Sequence, residues 1–429
     1  MKFRTVPLAL GALSLALAGC SAEPGGTPSS QPASSQSGSS PTEGAKSLSI
    51  VLAQYSPKTQ DHWNEIIDEF KVDHPDVEVD LQVLDWGALT PTVNTLIQTQ
   101  QYPDILNFGN WASYAAEGLL YPAEDVLSQT IMDDFLPAFA ENSKLEGVQY
   151  AMPMVASVNV LYYNKDILDR AGITAPPATF EELIQQCSKI KELEEDIVPF
   201  AVALGAVGGT AEAALWTYSG GGDYFKDGEW VIDSDTNVET FEFIKQLTAD
   251  GCTQPNPGQT NTGDGTYPLF QQGKAAMAYG TLGTGAFTTP AREAGIDFGT
   301  ATYPTAGGAA PLTLGIQDNL LAFKKDGNQQ LIADLLTRYY EAEHYASVAK
   351  TEGAFPTTKS ALDITINDPE TGLTPADLDL MEQSRFYPTT QPGWTGVNAR
   401  IKSDIGLAVT EGNDTRQVLA AIQEASKTE

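Results

Sequence analysis

The chain is poor in the residues that usually carry metal, redox or nucleic-acid chemistry. It has three cysteines and three histidines (His62, His74 and His344) in 429 residues, and none falls into the usual metal-ligand spacings. No structural metal is expected, and no cofactor. Basic residues are scarce: 24 Lys and Arg stand against 56 Asp and Glu, a formal net charge of −32 spread along the chain. Such a surface repels phosphate backbones, and no Lys/Arg cluster interrupts it, so nucleic acid is excluded as a partner. Nucleophile-elbow and phosphate-loop motifs are absent as well. Asp233-Ser234-Asp235-Thr236-Asn237 begins like a calcium loop, but Val238 replaces the required glycine and Ile244 the bidentate glutamate. That segment is expected to be a polar turn with a helix cap.

A long apolar run is also missing. Val6–Ala18 covers 13 residues, short of the roughly 20 that span a bilayer. Lys2 and Arg4 precede it, and Leu17-Ala18-Gly19-Cys20 follows, which is the pattern of a lipoprotein signal (1–19) ending at a lipidated Cys20. Residues 21–46 contain Ser, Gly or Pro at 16 of 26 positions and no apolar cluster. Such a segment cannot offset the entropy of ordering, so 20–46 is expected to be a disordered tether reaching roughly 30 Å. The expected location is the extracellular face of a cell membrane, of the Gram-positive lipoprotein type, held by lipid only.

The remaining 383 residues suffice for two sizeable lobes. Leu48–Ala53 reads as a strand, and Trp63, Ile66, Ile67 and Phe70 form the apolar face of a helix that Asp61 can cap. Val77, Val79, Leu81 and Val83 alternate with polar residues as a half-buried strand, Thr90-Pro91 opens a helix, and Asp104–Phe108 is a third strand. This order predicts right-handed crossovers and a parallel sheet with ligand-facing loops at the strand carboxyl ends. Val155–Tyr163 reads as another strand. Thr179-Phe180-Glu181-Glu182 is a capping box opening a helix with Phe180, Leu183, Ile184, Cys187 and Ile190 inward. Further helices are expected around Phe241–Leu247, from Gln329 to about Lys350, and after Asp414, with a strand at Ala275–Tyr279. Whether Cys187 and Cys252 pair is open at this level, although Cys187 lies on an apolar stripe.

Four segments carry a family resemblance. They are Phe70–Val79 with Tyr102-Pro103-Asp104-Ile105 and Ala115–Leu120; Gly147–Pro153 with Leu161–Asp166, Ala171–Ile173 and the capping box; Phe270-Gln271-Gln272-Gly273-Lys274-Ala275-Ala276-Met277; and Gly353–Lys359. In that order the chain resembles the extracellular solute-binding proteins of bacterial ABC carbohydrate importers, the maltose-binding-protein-like group. The resemblance implies an α/β, two-lobed periplasmic-binding-protein-like fold of type II. Each lobe would be a mostly parallel sheet flanked by helices, with a ligand cleft at the hinge. The implied lobes are 47–109 plus about 275–320, and about 110–274 plus 321–429. It further implies a non-enzymatic monomer that delivers a mono- or oligosaccharide to permease subunits. One departure stands out: Gly280-Thr281-Leu282-Gly283 lacks the tryptophan that the family often places there.

A neutral sugar needs aromatic faces beside fixed hydrogen-bonding groups. The loops after strands offer Gln54 and Tyr55, Asp85 and Trp86, and Asn110 and Trp111. Glu212 lies one helical turn before Trp216, ahead of the turn Gly220-Gly221-Gly222, and Trp394 occupies a late loop. Ser157 and Asp318, near the expected crossing strands, complete the candidate set, whereas Trp63 is expected in the core. Two alternatives are open: a polyamine gripped by Asp85, Glu212 and Asp318, or an exported glycoside hydrolase with a carboxylate pair about 5 to 9.5 Å apart.

Overall fold

The computed structural model describes residues 47–427 apart from 194, 283–284, 370, 372–374 and 392. The signal segment, Cys20, the tether to Lys46 and Gly283 lie outside the described residues. The principal elements begin with β1 (Ser47–Ala53), α1 (Thr59–Asp73), β2 (Glu78–Leu84), α2 (Trp86–Gln98), β3 (Ile105–Asn107) and α3 (Ala112–Ala116). They continue with β4 (Met152–Asn164), α4 (Phe180–Lys191), β5 (Val198–Ala201), α5 (Gly209–Ser219), α6 (Asp235–Ala249), β6 (Ala275–Leu282) and β7 (Phe298–Ala301). The last are β8 (Thr313–Ala322), α7 (Gln329–Tyr339), α8 (Ala342–Glu352), α9 (Trp394–Asp404) and α10 (Thr415–Glu424).

The first βαβαβ run folds as its pattern predicts, with β1 paired in parallel to β2 on one side and β3 on the other. Helix starts differ in detail. α1 begins at Thr59, which puts Asp61 in the first turn, where it complements the helix dipole instead of capping. α2 begins at Trp86 because Asp85 accepts from Gly87 N and Ala88 N at 2.9 and 3.1 Å, so Pro91 is carried inside the helix. The capping box at α4 forms: Thr179 Oγ1 accepts from Glu182 N, and Glu182 reaches back to Ala178 N. Ile184, expected inward, is 41% exposed on that helix, since Leu183, Cys187 and Ile190 already fill the buried face.

The sheet runs β2-β1-β3-β8-β4-β6-β5. Its centre is the antiparallel pair β4–β8, matched from Met152↔Leu320 to Asn159↔Leu314 with a bulge between Asp318 and Asn319. At about 3.3 Å per residue, the 13 residues of β4 extend about 40 Å. One strand therefore serves two cores. Met152, Met154 and Val155 join a core formed by Leu48, Ile50 and Leu52 with Trp63, Phe70 and Leu335, whereas Val160, Leu161 and Tyr162 pack with residues of α4, β5 and β6.

The resemblance assigns β6 to the first lobe, but it lies between β4 and β5 in the second half. α7 packs on α1 in the first half, where Trp63 stacks on Tyr339 at 5.1 Å. The first half thus takes residues near 48–155 and 320–361, and the second those near 156–314 and 380–422, with Phe139 and Phe355 crossing under the second. The expected helix from Gln329 to Lys350 breaks after Tyr339. Tyr340 and Tyr345 turn inward there and donate to the carbonyls of Pro153 and Met154 on β4.

Cys187 and Cys252 form a disulfide across 65 residues, their Cα atoms 5.6 Å apart, tying α4 to the segment after α6. Among the described residues no helix is long and apolar enough to cross a membrane, and no His/Cys/Asp/Glu group is arranged to hold a metal ion.

Candidate functional site

Three groups of side chains emerge from the candidates, and one is not a site. Glu212 and Trp216 face the second core, both fully buried. The Glu212 carboxyl accepts from Ala203 N, from Trp216 Nε1 at 3.2 Å and from Tyr303 Oη at 3.0 Å. Burial, only partly offset by those bonds, pushes its pKa up to about 7. Trp216 packs against Phe180, Phe200 and Tyr303. The expectation that this pair faces a ligand is corrected: nine of the eleven residues of α5 are buried, this pair among them. Gly208, which caps α5 at φ 90°, is required because a Cβ there would lie 2.3 Å from Thr262 Cγ2 and 2.7 Å from Tyr279 Oη.

The second group sits where β1, α2 and the β8 bulge meet. The backbone of Gln54 is fixed by a 2.7 Å bond to Leu84 O, and its side chain is exposed. Tyr55 packs edge-on to Trp86 at 5.3 Å, and 53% of Trp86 is exposed. The Tyr55 hydroxyl lies 3.2 Å from Asn107 Oδ1 and also bonds the Asp318 carboxyl. Burial, reinforced by the Asp318 charge, holds the phenol well above its usual range. Burial likewise pushes Asp318 up to about 6 against the lowering effect of the Tyr55 bond. Thr59 links this corner to Glu352, which pairs with His62 at 2.9 Å. Asp85 is committed to the α2 cap. Ser157 lies half-buried on β4 opposite Ile316, beside a network in which Gln317 Nε2 bonds Ser143 Oγ and Asn319 Oδ1 at 2.7 and 2.8 Å.

The third group joins the two halves. Asn110 and Trp111 at the start of α3, with Glu117 just after it, meet Thr389, Gln391 and Trp394 around a cavity of about 260 Å³. Trp394 opens α9, is 3% exposed, and stacks on Tyr387 at 5.3 Å. Trp230 lies parallel to it at 6.4 Å, which makes that hairpin residue a brace for Trp394. Thr389 and Gln391 were not singled out from sequence, although a Tyr387-Pro388-Thr389-Thr390-Gln391 loop beside a tryptophan carries the same polar-aromatic signal as the loops that were. Asn107, which ends β3, was missed because nothing local marks it.

The cavity is lined from two cores that the continuous strands β4 and β8 join. Residues 56–345 match the family described as bacterial extracellular solute-binding protein, and the chain belongs to that family. A binding protein of Brucella abortus (strain 2308) is 27% identical over 363 residues, covering 82% of this chain and 85% of its own. The mannitol-binding protein of Pseudomonas aeruginosa is 25% identical over 264 residues, 58% of this chain and 57% of its own. Among solved structures, the maltose-bound MalE3 of T. maritima superposes with a TM-score of 0.71 at 20% identity, covering 89% of this chain and 99% of that one. The last likeness establishes the fold, a two-lobed α/β architecture.

Proposed function

We propose that this chain is a lipid-anchored extracellular receptor. It captures a sugar or oligosaccharide between its two lobes and delivers it to the permease of an ABC transporter. The observation that carries the reading is the cavity where Asn110 and its neighbours meet Gln391 and Trp394, lined from both halves by aromatic and polar groups with Glu117 the one charged side chain among the described residues. Binding is followed by closure and release, with no bond made or broken: a ligand that touches both halves favours the closed state because only there are both sets of contacts made. Relatives named for mannitol, maltotriose and sn-glycerol-3-phosphate support a polyhydroxylated ligand. A polyamine is disfavoured because Asp85 is engaged by a helix terminus and Glu212 is sealed in the core, which removes two of the three carboxylates it would use. Lipidation of Cys20 would hold the receptor at the membrane, and the residues after it would act as its tether. The test is calorimetric titration of the full soluble body with maltose, maltotriose and mannitol, with spermidine as the opposing arm. Heat from a sugar and none from spermidine supports the reading, and the reverse pattern overturns it.

A further inference from the structure

The turn Gly220-Gly221-Gly222 follows α5 and packs tightly on α6: a Cβ at Gly222 would lie 1.8 Å from Asn237 Oδ1. Asn237 Nδ2 donates to Asp223 O at 2.7 Å, and Asp223 Oδ1 accepts from Tyr224 N at 2.8 Å. That leaves Asp223 Oδ2 for the Arg385 guanidinium, which it receives. The same guanidinium lies over the Tyr218 ring, 4.0 Å from its centre, and the Tyr218 hydroxyl donates to Phe386 O at 3.3 Å. Arg385 belongs to the short strand Ser384–Arg385, which pairs with Thr313 and Leu314 at the start of β8. Phe386 packs over Gly315 of β8, where a Cβ would lie 2.6 Å from its ring. A few residues on, Thr389, Thr390, Gln391 and Trp394 line the cavity, whereas Arg385 is not among its described lining residues. Bonds from Thr389 N to Tyr387 O at 2.8 Å and from Gln391 N to Pro388 O at 3.0 Å fold that loop on itself, so its aim depends on where Arg385 and Phe386 are fixed.

The Asp223–Arg385 pair is partly exposed, so its net contribution to stability is small. A planar guanidinium held by a carboxylate and an aromatic face nevertheless fixes direction as well as distance, which an ammonium does not. Resting on the sugar-binding reading, we propose that Arg385 is a positioning residue: clamped by Asp223 and Tyr218, it presets the loop from Tyr387 to Gln391 for the ligand without touching the ligand itself. Without the clamp the loop samples other arrangements, and the apparent affinity falls by the fraction of molecules in which it is in place. Once bound, the ligand itself holds the loop. The loss therefore falls on association and not on dissociation.

The experiment is stopped-flow mixing, followed by tryptophan fluorescence, with the tightest binder among maltose, maltotriose and mannitol. The variants are Arg385→Met, Arg385→Lys, Asp223→Asn and the Asp223→Asn/Arg385→Met pair. Asp223→Asn keeps the Oδ1 acceptor for Tyr224 N and removes the charge that faces Arg385. Arg385→Met and Asp223→Asn should each lower the association rate constant roughly fivefold and leave the dissociation rate constant unchanged. The double variant should lose no more than the worse single one, because the two side chains form one clamp. Arg385→Lys should recover part of the loss, since it keeps the charge but not the planar fork. Unchanged association in every variant, with the parent still binding sugar, overturns the assignment and leaves the sugar reading standing, whether or not urea midpoints fall. Faster dissociation in Arg385→Met with Asp223→Asn silent means that Arg385 touches the ligand, and also overturns it. If the parent binds none of the sugars, the receptor reading itself fails and takes this assignment with it.

Discussion

Glu212 offers a quantitative test of how the second half is held together. Its carboxyl has a folded-state pKa of about 7 against 4.5 for an unperturbed group. Between those values the folded chain keeps a proton that the unfolded chain releases. Stability from this group is therefore complete below about pH 4.5 and declines as pH rises through 7, at about 1.4 kcal/mol per pH unit. Over that window the loss is about 3 kcal/mol. Replacing Glu212 by Gln removes the ionisation but not the crowding of donors. The amide must turn its NH₂ toward Ala203 N or toward Trp216 Nε1, leaving a buried donor opposed at a cost of about 1–3 kcal/mol. The Gln variant should be weaker than the parent at pH 5, by up to about 2 kcal/mol, and equal to it or more stable at pH 8. Urea unfolding followed by circular dichroism at pH 5, 6, 7 and 8 measures this. Asp318, raised to about 6, adds a slope of the same sign to both proteins, so the difference between them isolates Glu212. Parallel curves for parent and variant would refute the reasoning.

Opening the Cys187–Cys252 bridge by Cys252→Ser frees a 65-residue loop, and the chain-entropy estimate is a loss of about 4 kcal/mol, read from urea midpoints with dithiothreitol as control. An unchanged midpoint would mean that the bridge does not form. Trp394→Ala removes an anchor that contacts Tyr387 and lines the cavity, and should weaken sugar binding by about 2 kcal/mol or more in calorimetry. Cys20→Ala should release the protein into the medium and abolish incorporation of radiolabelled fatty acid, whereas continued membrane retention would remove the anchor from the account.

Much of the fold was legible because its signals are local. The alternation of Val79, Leu81 and Val83 and the spacing of Trp63, Ile66 and Phe70 each identify an element without reference to the rest of the chain. The placement of β6 was not legible: a run of buried apolar residues says that a strand is covered on both faces, not by which half. For the candidate residues, the sequence marked aromatic side chains near polar ones but not which way each ring turns. Trp216 and Trp394 look alike in sequence. One lies in a helix that is buried nearly all round and is spent on the core, and the other begins a helix next to a polar loop and lines the cavity. Asp85 shows the same ambiguity, since a carboxylate beside a tryptophan serves equally well as a ligand contact or as a helix cap, and here it caps.

The most direct test of the central claim is a crystal structure of the protein with the sugar that binds tightest in calorimetry. The account predicts an intact sugar held between the halves, in contact with Asn110 from one side and with Gln391 and Trp394 from the other. A sugar bound outside that crevice, or found cleaved within it, would contradict the account.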